Sequence, residues 1–127
     1  GNPRTLDWLQ PSYDLGYNVV TMKEFQKRGI DDVIKELLNK IGDNPLYITF
    51  DLDSLDASVA PAVANLEPGF TGFTIDEAKA LVQSVKKKNV IGGDVVCLMP
   101  TKDQKNNITS MVAASVMFEI ISVIAYK

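Results

Sequence analysis

Ile30, Val33, Ile34, Leu37, Leu38 and Ile41 stand three and four residues apart along IDDVIKELLNKI. Apolar residues so spaced fall on one side of a 3.6-residue period, which predicts an amphipathic helix. Gly42 follows where a helix C-cap favours a left-handed residue. A second such pattern, Ile75, Ala78, Leu81, Val82 and Val85, comes after Thr74, and Glu77 completes a capping-box signature three residues on. Other apolar runs have no helical period. LYITF (46–50) follows Pro45 and reads as a strand. VIGGDVVCLM (90–99) is nearly continuous up to Pro100, as in a parallel strand covered on both faces. The short β-branched stretch YNVVTM (17–22) is predicted to be a further strand. Residues 108–126 are long enough for a helix and apolar almost all round, a composition that usually means burial.

Between these elements, residues 1–18 read as irregular, being rich in Pro, Asn, Tyr and Asp. Residues 52–73, with Pro61, Pro68, Gly69 and Gly72, read as one long loop. Loops of that length are uncommon in compact domains and often functional. The order β-α-β-α-β-α predicts an α/β fold, a parallel sheet with flanking helices joined by right-handed crossovers. Three strands make a small sheet, and the last helix calls for cover on more than one side. Both features point to part of a larger unit.

Composition narrows the function classes. The 127 residues suit one domain, and 46% hydrophobic with 23% charged residues is ordinary for a globular protein. A net charge of −3 argues against a nucleic-acid partner, which would need a basic face. The run Lys86-Lys87-Lys88 reads as the solvated last turn of a helix, where cations meet the negative dipole end. Cys97 is the only cysteine, so no internal disulfide can form. That fits a reducing compartment, so the cytoplasm is the expected location, with an organelle left open. No stretch reaches the roughly 20 apolar residues of a bilayer span, and the first residues lack the apolar core of a signal peptide. No membrane partner is expected. With no histidine, the chain by itself excludes Ser-His and Cys-His nucleophiles and lacks the commonest transition-metal ligand.

The chemistry gathers in YITFDLDSLDASVAPAV (47–63), where an apolar strand ends in Asp51, Asp53 and Asp56. Parallel strands present their carboxyl ends at the edge where α/β sheets bind ligands. Two residues apart in an extended segment, Asp51 and Asp53 would point to one side with α-carbons roughly 7 Å apart. Carboxylates aimed at one point repel, and a divalent cation between them reverses that cost; oxygen donors suit Mg²⁺, Mn²⁺ or Ca²⁺. The plainer reading is that they form Asx turns after a strand. Asp56 reads as a turn residue or as a support to the ligands.

The stretch TFDLDSLDASVAP resembles the S-x-D-x-D-x-x-D-P-x-x-A-P motif of the ureohydrolases, the arginase and agmatinase family. VIGGDVVCLMP resembles that family's next strand, V-x-G-x-D-x-V-E-x-x-P, and NITSMVAASVMFEIISVIA resembles its closing helix. The layout of residues 15–51 also matches. The similarity covers nearly the whole chain but only the C-terminal portion of a typical member, so residues 1–127 are expected to be a C-terminal fragment of a ureohydrolase-like α/β domain. The resemblance implies a partial arginase-like three-layer α/β/α fold with a two-manganese site at the strand ends. Asp51 and Asp53 correspond to metal ligands, the first bridging two Mn²⁺ ions whose shared hydroxide attacks a guanidinium carbon to release urea and an amine. For the full-length protein it implies a hydrolase of linear amidine C–N bonds. The substrate would be agmatine-, guanidino-acid- or arginine-like, and the assembly a homo-oligomer.

The chain departs from that pattern in three places. The family's histidine-bearing motifs, resembling G-G-D-H and D-A-H-x-D, do not occur, so this segment holds half a site and its other ligands are expected in a missing N-terminal part of the same fold. Cys97 stands where the family carries a glutamate that contacts substrate; the plainer reading makes it a small core residue. The family loop A-P-G-T-G-T-P becomes APAVANLEPGFTGFT, which leaves the pocket's shape open. Two alternatives follow: a degenerate, non-catalytic relative acting as a subunit or binding module, and a fragment whose bare sheet edge recruits the missing strands. FDLDSL also resembles the D-x-D motif of haloacid-dehalogenase-like phosphatases, but Leu55 stands where that motif has Thr or Val and no later acidic pair follows. A D-x-D glycosyltransferase is open on the same grounds.

Overall fold

The computed structural model describes residues 7–66 and 72–126. In chain order the elements are α1 (Gln10–Asp14), α2 (Met22–Arg28), α3 (Ile30–Ile41), β1 (Leu46–Asp51), α4 (Ile75–Ser84), β2 (Val90–Val96) and α5 (Ile108–Ala125). Short 3-10 turns form at Leu52–Ser54 and Pro100–Lys102. β1 and β2 pair in parallel with α4 in the crossover between them. The expected parallel sheet with helices at its side is therefore present.

The predicted strand at 17–22 is not formed. Met22 opens α2 instead, because Thr21 and Glu24 make a reciprocal capping box. The Thr21 hydroxyl accepts the Glu24 amide at 3.2 Å, and the Glu24 carboxylate accepts the Thr21 amide at 3.0 Å. Two orphan donors of a helix start are thereby satisfied, which outweighs the weak strand preference of Val19 and Val20. Among the described residues the sheet thus has two strands rather than three. The irregular segment at 1–18 contains the short α1, begun by Pro11 near its first position; its residues 1–6 lie outside the described part, as do Pro68 and Gly69 of the long loop. The helices starting at Ile30 and Ile75 form as expected. Gly42 ends the first with φ 55°, and Thr74 and Glu77 cap the second reciprocally.

One face of the sheet carries the core. Ile48, Phe50 and Val95 pack beneath Val116, Ile120 and Val123 of α5, with Val82 of α4 and Leu37, Leu38 and Ile41 of α3 closing the flank. Gly93 permits this close approach: a β-carbon there would lie 2.7 Å from Cγ2 of Ile120 and 2.8 Å from the Ile48 carbonyl oxygen. Ile120 is wholly buried, worth about 1.5–3 kcal/mol.

The other face differs from the expectation for β2. Tyr47 and Thr49 are exposed there and donate to the Asp94 carboxylate at 3.0 and 2.6 Å. Among the described residues β2 is thus covered on one face, and its second face is polar because Asp94 falls on it. α5 departs in the same sense. Its inner side is core, but Met111, Phe118 and Ile121 on the opposite side are 60%, 68% and 55% exposed. Among described helices it alone, with 18 residues at mean hydropathy 2.0, is long and apolar enough to cross a bilayer.

Candidate metal centre

β1 ends at Asp51, paired in register with Val96 of β2. The chain then leaves the strand through the 3-10 turn rather than continuing extended. The Asp51 carboxylate accepts the Asp53 amide at 3.2 Å, and the Ser54 hydroxyl donates to the Asp51 carbonyl at 2.6 Å. Leu52 between them is wholly buried in the cluster of Leu55, Ala60, Val63, Ala78 and Ala113. The Asx turn and the carboxylate pair therefore coexist, and a turn, not strand pleat, brings Asp51 and Asp53 together. Asp56 behaves as a turn residue. It accepts the Ser58 hydroxyl at 2.5 Å and the Ser58 amide at 2.9 Å, and these bonds hold its carboxyl below the usual range.

β2 ends one residue before Cys97, whose φ of 68° breaks the predicted strand at 90–99. Few non-glycine residues adopt that left-handed conformation. It is held from outside. The Cys97 carbonyl accepts the Ala64 amide at 3.2 Å, the Met99 amide donates to the Ala62 carbonyl at 2.9 Å, and Val63 bridges Leu98 antiparallel. The segment APAVAN thus clamps Cys97. The other loop limb closes where Phe73 bridges Leu55. Gly72 fits there because a β-carbon would lie 2.2 Å from the Asp56 nitrogen.

Cys97 turns out to be a rim residue, half-buried, rather than part of the core. Asp51, Asp53 and Cys97 can each offer one ligand atom, and all three atoms lie within 4.8 Å of one another. Hydrogen bonding to Asp51, then burial and the two nearby negative charges, push the Cys97 thiol up to about 11. At neutral pH it is a protonated donor to Asp51. A dication among the three would oppose those influences and favour the thiolate.

Two further residues fix the rim, neither singled out by motif. The wholly buried Thr109 accepts the Ala62 amide at 3.1 Å. Asp103 caps α5 from outside the helix: its carboxylate accepts the amides of Thr109 and Ser110 at 3.1 and 2.8 Å and the Ser110 hydroxyl at 2.7 Å. Burial pushes its carboxyl up, but the Ser110 hydroxyl and the Ser110, Thr109 and Gln104 amides outweigh it and bring it to about 2. Asn107, at the helix boundary, is left-handed and makes no side-chain cap, so Asp103 supplies what the adjacent residue does not. The lysine run lies beyond α4 rather than in its last turn. Lys88 donates to the Gly42 carbonyl at 2.8 Å and Lys86 sits 5.7 Å from the Tyr126 ring centre. A groove of about 560 Å³ lies between α4 and α5, lined by Lys79, Val82, Phe118 and Glu119 among others; none of the rim's three donors lines it.

The family model that matches the chain is the arginase family, over residues 4–122. An agmatinase from Escherichia coli O7:K1 is 39% identical over 114 residues, which is 90% of this chain and 36% of that protein. Among solved structures, the proclavaminate amidino hydrolase of Streptomyces clavuligerus superposes with a TM-score of 0.84 at 29% identity, covering 98% of this chain and 40% of its own. The formimidoylglutamase of Bacillus subtilis gives 0.82 at 28%, covering 94% and 38%. The chain therefore spans little more than a third of the length of the relatives it matches. The strand-end aspartates, the parallel β-α-β unit and these likenesses agree: the chain belongs to the arginase family and shares its α/β fold.

Proposed function

We propose that these residues are the C-terminal part of a manganese-dependent ureohydrolase that hydrolyses a guanidino compound to urea and an amine. Asp51 and Asp53 are its metal ligands. One observation carries this reading: in an arginase-family chain, two carboxylates converge at the carboxyl end of a parallel strand, on the rim where such sheets bind ligands. The donor set fits a divalent cation, since carboxylate oxygens suit Mn²⁺ and clustered anions disfavour one another without it. When bound, manganese supplies Lewis acidity beside the amidine carbon. This chain's own contribution is orientation and charge. The Asp53 amide fixes the Asp51 carboxylate, buried Leu52 fixes the turn, and the acidic rim attracts a guanidinium cation.

The remaining ligands belong to the part of the fold absent from these residues, which also covers the outer face of α5. The complete polypeptide is expected to hold manganese and to release urea from at least one member of a guanidino panel spanning agmatine, guanidino acids and arginine. Failure to hold metal and failure to release urea, together, would overturn the reading. Cys97, in place of the family's glutamate, favours a second reading, a non-catalytic relative serving as a subunit or binding module. Urea release by the unaltered protein removes that reading; urea release only after Cys97→Glu establishes it.

A further inference from the structure

We propose that Cys97 is itself a ligand of this centre, binding the same cation as Asp51 and Asp53 and biasing it toward zinc-class metals. This rests on the reading of the two aspartates as metal ligands and adds to it. Three observations combine. The thiol shares one compact donor triangle with both carboxylates, every ligand atom within 4.8 Å of the others. Its backbone is held at φ 68° by the Ala64 amide on its carbonyl, and the neighbouring Met99–Ala62 hydrogen bond and Val63–Leu98 bridge secure the same segment, so its position does not depend on a flexible loop end. It also lies just past the end of β2, the strand paired with the one that ends in Asp51, so the donors come from two strand ends.

Two carboxylates alone form a hard, oxygen-only set. A thiolate added to them makes a mixed oxygen–sulfur set, which favours zinc and its heavier relatives over manganese. On binding, the Sγ–metal bond forms as the thiol proton leaves to solvent; no electrons are transferred. Without the thiol only the oxygen set remains. The thiol at 97 therefore shifts the metal preference.

The complete polypeptide titrated with Cd²⁺ as a spectroscopic probe is expected to develop a thiolate-to-cadmium charge-transfer band. The Cys97 contribution, read as the difference from Cys97→Ser, should be about one thiolate per chain and should fall with Asp51→Asn. Competition between Zn²⁺ and Mn²⁺ should show a zinc preference at least about tenfold greater than in Cys97→Ser, by analogy with the size of ligand-environment effects. Cys97 is the only cysteine of these 127 residues, so protection of the Cys97-bearing peptide from iodoacetamide by Cd²⁺, read by peptide mass mapping of the unaltered protein, reports the same bond without a variant. Cadmium bound without the Cys97 contribution or the protection would overturn the role of Cys97 and leave the aspartates as ligands. A Cys97 contribution undiminished by Asp51→Asn would mean that the thiol binds apart from the centre, which also overturns it. If dialysis finds no divalent cation held at all, the metal reading of Asp51 and Asp53 falls, and this inference with it.

Discussion

The two sides of α5 obey different rules. Inward, Val116, Ile120 and Val123 meet Ile48, Phe50 and Val95, and Gly93, with no β-carbon, lets them approach. Outward, Met111, Phe118 and Ile121 meet solvent although they are equally apolar. The same contrast separates the rim from the second sheet face. At the rim, Asp51, Asp56 and Asp103 accept backbone amides two to seven residues away, and Thr109 accepts the distant Ala62 amide from the loop after β1. On the second face, Tyr47 is exposed and donates to Asp94. The rim is held by the segment's own residues, whereas its scaffold is covered on one side among the described residues.

That contrast can be broken from either side. Ile120→Ala should have the largest effect, about 2–5 kcal/mol by denaturant unfolding, because a wholly buried side chain leaves a cavity under the sheet. A cost below 1 kcal/mol would mean that the inner face is no better packed than the outer. Thr109→Val should cost about 1–3 kcal/mol, since it leaves the buried Ala62 amide without an acceptor. Its effect on metal affinity would measure how far the loop clamp, rather than the strand, holds the rim.

Asp103→Asn should lower the melting temperature at neutral pH. The folded carboxyl lies near 2, below an unfolded value of about 3.9, so its contribution is present above about pH 4 and is lost as pH falls toward 2. The gap between the two proteins should close over that window; a constant gap would mean that the carboxylate's charge is irrelevant to capping α5. The smallest effect is expected of Phe118→Ser, within about 0.5 kcal/mol for the isolated segment, as for other exposed sites. In the complete polypeptide the same change should destabilise by more, if α5's outer face is covered there. Equal effects in the two contexts would sink that idea.

How far the sequence could be read follows from the range of each interaction. The capping box at Thr74 and Glu77 and the helical period of 30–41 involve residues within a turn or two, and both were legible. The same box at Thr21 and Glu24 was present in the sequence, but Val19 and Val20 made the stretch look extended. The pairing of Asp51 with Asp53 was legible as a motif, though a 3-10 turn rather than an extended strand delivers it. The resemblance put Cys97 where relatives contact substrate, but its approach to the Asp51 carboxylate was not legible. It depends on the β1–β2 register, which sets Asp51 opposite Val96, and on a left-handed residue that no local pattern announces. Asp103 was missed for a related reason: it caps from six and seven residues away, outside the usual capping offsets. The predicted burial of α5 failed on its outer face because hydropathy reports what a side chain prefers, not what these residues supply to cover it.

The handedness of the backbone at position 97 has a consequence for redesign. A left-handed residue other than glycine costs about 1–2 kcal/mol, so Cys97→Gly should relax the chain while emptying the socket. Because hydrogen bonds on either side hold this backbone, replacements here share one Cα–Cβ direction, and side-chain length sets how far each functional group reaches into the rim.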